Sequence, residues 1–157
     1  MLKIRIIVVD RTRSSFVHEG ESLYLKRLRR YVQAEWVEVK PAKITKGRSE
    51  EEILLSEGQA IGRKIEPRDY RVALDRSGYQ YDSEGLASWL EAMSTTVNGW
   101  VSFLIGGPLG LSRQILQQAD KVLSLSRLTL THEISRLILL EQLYRAFTII
   151  KGEKYHK

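Results

Sequence analysis

The chain opens on LKIRIIVVD, Leu2 to Asp10, a run rich in β-branched residues that ends in polar positions, the pattern of a buried strand. FVHEGESLYLKRLRRYV follows with apolar residues at helical spacing, Phe16, Leu23, Leu28 and Val32 among them. EWVEVK alternates and predicts a second strand. Ser49, three residues ahead of Glu52, forms a capping box that opens a helix over EEILLSEGQAIGRKI, which Pro67 stops. YRVALD, Tyr70 to Asp75, predicts a third strand, RSGYQ a turn, and SEGLASWLEAMS a third helix ended by Asn98–Gly99. WVSFLIGG, Trp100 to Gly107, is apolar on both faces, as a central parallel strand should be. SRQILQQA predicts a short helix and KVLSLS a fifth strand, and a long last helix runs from about Thr131 to Lys151. Strands alternate with helices throughout, so the fold class is α/β with a mostly parallel sheet. No repeat, low-complexity run or linker interrupts the pattern, and residues 1–157 read as a single domain.

The last helix is apolar on more than one side. Leu137, Leu140, Tyr144 and Phe147 form one stripe, and Ile134, Ile138 and Ile149 another. A surface helix of an α/β domain buries a single face, so a subunit interface is the simplest second partner, a helix enclosed within one domain being the alternative.

Charge changes the picture next. Residues 1–48 hold 12 Lys+Arg against 5 Asp+Glu, a net of +7, and residues 49–157 hold 13 against 14, a net of −1. The excess sits in KRLRR (Lys26 to Arg30) and KPAKITKGR (Lys40 to Arg48), a one-sided basic surface suited to phosphate backbones, although a solvated helix face fits the same charges. Cysteine is absent, which excludes disulfides and thiolate metal sites. The chain has only His18, His132 and His156, so no metal is expected. No run is long and apolar enough for a membrane span and no secretory pattern opens the chain, so the expectation is a cytoplasmic protein.

Two segments carry the candidate chemistry. LIGGPLG, Leu104 to Gly110, puts glycines at a strand's C-terminal end, where open parallel sheets bind ligands and where backbone N–H groups can be approached. It is neither G-x-G-x-x-G nor a P-loop, and on its own it also fits a tight strand-to-helix turn. LSLSRLTLTHEISR, Leu123 to Arg136, runs from a strand through small hydroxyl residues into a helix start, with Thr129 or Thr131 as cap and Glu133 in the first turn. A ligand there would meet Leu125 to Leu130 mainly through main chain. The chain closes on KYHK, where most domains carry disposable polar residues.

Taken together, FLIGGPLGLS, LSLSRLTLTHEISRLILLEQLYRAFTIIKGEKYHK and the length resemble the SPOUT-class, trefoil-knot methyltransferases of the ribosomal RNA large subunit methyltransferase H family. The likeness covers the whole chain and is strongest from Tyr70 to Lys157. One departure is Thr131, where the family usually has proline before the histidine; threonine still caps the helix. The resemblance implies a single knotted parallel α/β domain with helices on both faces and the knot within about 70–157, a rare exception to the rule against knots. It implies S-adenosylmethionine bent among three loops, at Leu74, at Gly106 and Gly107, and at Leu125, Ser126, Arg127, Leu128, Thr129 and Leu130. It also implies a homodimer with its active site at the interface, acting on N3 of a pseudouridine in large-subunit ribosomal RNA, naked or in the assembled ribosome.

In that setting the closing residues become candidates for the site. Tyr155 would stack on a base, and His156 and Lys157 would contact phosphate or base edges. The N3–H of a uracil-type ring is a weak acid, so a nearby cation favouring the anion assists methyl transfer. Arg145 is the expected electrostatic stabiliser and His156 the proton acceptor or positioning group; an Arg145–Glu141 ion pair one turn apart is the plainer alternative for Arg145. Lys26, Arg27, Arg29, Arg30 and Lys157 are the expected RNA contacts. Two rivals remain at this stage, a related knotted methyltransferase acting on another rRNA or tRNA position and a non-catalytic RNA-binding module.

Overall fold

The computed structural model describes residues 1–157. Its elements follow in the order β1 (Lys3–Val9), α1 (Ser15–Leu28), β2 (Gln33–Val39), α2 (Glu50–Gly62), β3 (Tyr70–Tyr79), α3 (Ser83–Thr96), β4 (Val101–Ile105), α4 (Arg113–Gln118), β5 (Lys121–Leu123) and α5 (His132–Ile150). One five-stranded sheet runs β2-β1-β4-β3-β5, every pairing parallel. The pleat of β1 divides the core. Ile4, Ile6 and Val8 pack with Leu28 of α1, Leu90 of α3 and Leu140 of α5, whereas Ile7 and Val9 pack with Ile61 of α2 and Ile115 of α4. Helices therefore cover both faces, and β4 is buried along its whole length.

Local chemistry starts the helices where the sequence places them. Ser49 accepts from the Glu52 amide at 3.1 Å, Asp82 from Gly85 at 2.7 Å, Ser112 from Ile115 at 3.2 Å and Thr131 from Ile134 at 3.2 Å. At the N-terminal ends of the strands the fully buried Asp69 carboxylate accepts from Arg5 at 2.8 Å and from Ser102 at 3.1 Å, locking β1 to β4.

The structure departs from the sequence pattern at three places. α1 ends at Leu28, so Val32 lies beyond it, yet it is buried in the core at the entry to β2. β3 continues through RSGYQ as far as Tyr79, where a turn was expected. A register shift between Leu74 and Tyr79 lets the strand pair with Leu123 twice. Gly78 makes this possible: a Cβ there would stand 2.6 Å from the Val122 carbonyl. In consequence β5 stops at Leu123, and Ser124 to Ser126 form a loop whose serines bond within it.

The third departure is α5. It lies between α1 and α3, and no residue from His132 to Ile150 is exposed. Leu140, Tyr144 and Phe147 are buried inside the chain, while Ile134, Leu137, Ile138 and Ile149 are only partly covered, so the two stripes do not by themselves require a second subunit. Gly20 of α1 helps, since a Cβ there would come within 2.7 Å of Leu137.

Candidate active site

Parallel strands bring their C-terminal ends to one edge, and the ends of β3, β4 and β5 open there into a cavity of about 590 Å³. Leu74, Gly106, Gly107, Leu125, Ser126, Leu128, Thr129 and Leu130 line it together, from three separate loops. Arg127 does not; its side chain points to solvent from the same loop. Seven of the 18 lining residues are hydrophobic, enough for apolar walls around a flat ring, while the loops offer main-chain groups at its edge.

The sequence reading missed part of the wall. Asp75 and Arg76 reach the cavity because β3 continues past Leu74, and Thr131, His132 and Ser135 reach it from the first turn of α5. His132 carries the clearest signal: burial, then the neighbouring Arg136, holds its imidazole below the usual histidine range. It is therefore neutral near pH 7.

The glycines serve the turn itself. Gly107, Pro108, Leu109 and Gly110 form a turn closed by Gly110 N–H donating to the Gly107 carbonyl at 2.9 Å, with Gly110 at φ +78°. A Cβ on Gly106 would lie 2.3 Å from the Gly110 carbonyl. A side chain at Gly106 would therefore disturb the turn as well as any ligand: the chain's own backbone fills that space first.

A polar network pins the start of α5 to β1. Arg136 is fully buried; it donates to the Val9 carbonyl at 2.5 Å and to the Thr12 hydroxyl at 2.9 Å, while its Nε has no partner. Thr12 donates in turn to the buried Glu21 at 2.8 Å. One turn earlier, Glu133 accepts from the Arg13 and Ser14 amides, both at 3.0 Å, and these bonds hold its carboxyl below the usual range. These bonds tie the cavity wall to the β1–α1 loop.

The tail is packed, with Tyr155 and His156 half-buried and Lys157 exposed. Tyr155 donates to Glu141 at 3.1 Å and meets Tyr144 edge-on at 4.8 Å between centroids. Burial, then Tyr24 and Glu141, pushes its phenol well above the usual range. Arg145 is paired with Glu141 at 2.5 Å, stacks over Tyr155 at 4.8 Å and donates to His156 Nδ1 at 3.1 Å. Since guanidinium only donates, Nδ1 accepts, and Nε2 faces Glu84 at 3.8 Å. None of these groups lines the cavity of the same chain. Arg145 lies ten residues beyond Ser135 along α5, roughly 15 Å at the rise of an α-helix.

The basic cluster of α1 adjoins the tail instead. Arg27 lies 5.6 Å from the Tyr144 ring, which also carries Tyr155, and Arg30 lies 5.7 Å from the Tyr31 ring. Lys26, Arg29 and Arg30 are exposed. Elsewhere, no group of three His, Asp or Glu side chains converges on a metal-sized site, and no helix is long and apolar enough to cross a membrane.

Residues 2–156 match the family described as "Predicted SPOUT methyltransferase". The chain is 47% identical to ribosomal RNA large subunit methyltransferase H of Moorella thermoacetica over the full length of both. It is 39% identical to the protein of the same description in Halothermothrix orenii, covering 99% of this chain and 100% of that one. Its fold resembles that of a probable methylase family protein from Haemophilus influenzae, at a TM-score of 0.58 and 16% identity, over 100% of this chain and 72% of the other.

Proposed function

Because the chain belongs to the SPOUT methyltransferases, in the ribosomal RNA large subunit methyltransferase H family, we propose that it methylates N3 of a pseudouridine in large-subunit ribosomal RNA. The observation that carries this is the meeting of three loops at one cavity, lined by all the residues that the family likeness assigns to S-adenosylmethionine except Arg127. That cofactor supplies an electrophilic methyl group when bound. The cavity suits it: leucines for the adenine, main chain of Leu125 to Leu130 for hydrogen bonds, and the small Gly106–Gly107 edge.

The remaining work falls to side chains away from that cavity. Arg145, kept cationic by Glu141, stabilises the imide anion formed as N3–H is lost. His156 positions the base, its Nδ1 lone pair being occupied by Arg145. Tyr155 stays protonated and offers its ring for stacking. Lys26, Arg27, Arg29, Arg30 and Lys157 lead the phosphate backbone toward this surface.

Arg145 lies roughly 15 Å along α5 from the cavity wall at Ser135, so it and the tail packed on it work on a second copy's cofactor and the enzyme acts as a homodimer. Support comes from α1, where Phe16 and Leu23 are 64% and 45% exposed on one face, with the half-exposed Ile134, Leu137 and Ile138 of α5 beside it. The same reading expects the knot within about 70–157 and a cytoplasmic site of action. The test is nucleoside mass spectrometry of large-subunit ribosomal RNA, naked and in ribosomes, from cells lacking the gene, after incubation with the protein and S-adenosylmethionine. N3-methylpseudouridine should appear; its absence from both substrates would overturn the proposal.

A further inference from the structure

Beside the cavity stands a cluster that the methyl transfer does not use. Tyr79, Tyr81 and Trp89 form a row of rings: Tyr79 meets Tyr81 edge-on at 4.7 Å, and Tyr81 stacks on Trp89 at 5.5 Å. The Lys121 ammonium lies 4.7, 4.8 and 5.4 Å from the three ring centres. Tyr81 and Trp89 lean on the core, but Tyr79 is 59% exposed. Its backbone is fixed: it pairs with Leu123, its carbonyl accepts from Ser124 at 2.9 Å, and Gly78 lets the strand lie close on Val122. A large ring held rigidly in solvent, with a cation and two rings behind it, is a preorganised surface for another flat π-system.

Its place narrows the occupant. Leu123 and Leu125 line the cavity on one side of this loop, and Asp75 and Arg76 line it from the strand that carries Tyr79. A polyanion reaching the cavity here passes the exposed Arg76 and the half-buried Lys121. We propose that Tyr79 is a stacking platform for an unpaired base of the RNA strand, next to the nucleotide being methylated. This rests on the RNA methyltransferase reading and adds a contact outside the residues assigned above. The cations hold the phosphates and the ring accepts any base face, so the contact adds affinity with little sequence preference.

The experiment compares wild type, Tyr79→Ala and Tyr79→Trp, using anisotropy of a labelled single-stranded fragment of the large-subunit RNA and calorimetry with S-adenosylmethionine. Tyr79→Ala should weaken RNA binding about tenfold without changing the slope against salt, because no phosphate contact is lost. Tyr79→Trp should bind as wild type does, and cofactor affinity and melting temperature should hold in both variants. Equal RNA affinity in wild type and Tyr79→Ala would overturn the platform, as would an equal loss in Tyr79→Trp. A wild-type protein that does not bind the fragment and methylates large-subunit RNA neither naked nor in ribosomes would instead overturn the function on which the platform rests.

Discussion

Replacing Arg136 by methionine tests whether the start of α5 is held by the buried network. The substitution keeps an unbranched apolar stem and removes the cation, leaving the Val9 carbonyl without its donor and Glu21 without the charge it faces through Thr12. Removing one partner of a buried charged network costs about 3–5 kcal/mol. The link to Glu21 runs through a hydroxyl, and the unpartnered Nε already weakens the native arrangement, so the lower end applies. For a chain of 157 residues that is a fall in Tm of roughly 6–12 °C.

Glu21→Gln supplies the internal control. Burial already pushes the Glu21 carboxyl above its usual range, so neutralising it alone should change Tm by only a degree or two, on the order of 0.5 kcal/mol. In the Arg136→Met background it should restore about half of the loss, since the charge left behind is gone. Circular dichroism melts give the four corners of the cycle. Calorimetry with S-adenosylmethionine below Tm should find weaker binding for Arg136→Met, because Thr131, His132 and Ser135 of the same helix start line the cavity. A double variant that falls by the plain sum of the two singles would refute the coupling, and an unchanged Tm for Arg136→Met would refute the network.

Gly106→Ala should lower cofactor affinity at least tenfold and cost stability too, since its Cβ meets the Gly110 carbonyl; normal binding by calorimetry would contradict this. Reversing Lys26, Arg27, Arg29 and Arg30 should weaken RNA binding and flatten its salt dependence while cofactor affinity stays constant; an unaltered slope would leave the cluster a solvated face. Phe16→Asp should shift light scattering from dimer toward monomer and lower turnover, and a fully active monomer would exclude a site shared between copies. Burial raises the Glu57 carboxyl, so its contribution to stability is complete below the ordinary carboxylate range and is lost as pH rises through the folded value. Glu57→Gln keeps an acceptor for the Ala42 amide and should lose less Tm than wild type when the pH is raised from roughly 4 to 8; parallel melting curves would contradict this.

How far the sequence could be read depends on whether a residue's partner is near in sequence or only in space. The caps Ser49, Asp82, Ser112 and Thr131 act within three residues, and strand and helix periods are equally local, so the alternation of elements was legible. The continuation of β3 was not. Arg76-Ser77-Gly78 has turn chemistry, and what makes it strand is the Val122 backbone, more than forty residues away, closing on a glycine. With it went Asp75 and Arg76 as cavity wall, and Tyr79 as an exposed ring beside it.

α5 gives the sharper lesson. Two apolar stripes on a helix say that two surfaces cover it, but not whose. Here α1 and α3 supply most of the cover, because the helix lies in the groove between them on one face of the sheet, and Gly20 lets α1 come close to Leu137, with Ile134, Leu137 and Ile138 left half-exposed. A subunit contact then has to be argued from what stays uncovered, Phe16 and Leu23 on α1, and from the tail. The segment from Glu141 to Lys157 is self-consistent within one chain: Glu141, Arg145, Tyr155 and His156 satisfy one another. Yet Arg145 of that constellation lies roughly three helical turns from the cavity wall at Ser135. Anything that takes a methyl group from one site and stabilises a nucleobase anion at the other must bring them to within a bond's reach. With α5 anchored by Arg136, the proposed chemistry needs a second copy to bring the two halves together, and a fully active monomeric Phe16→Asp variant would refute it.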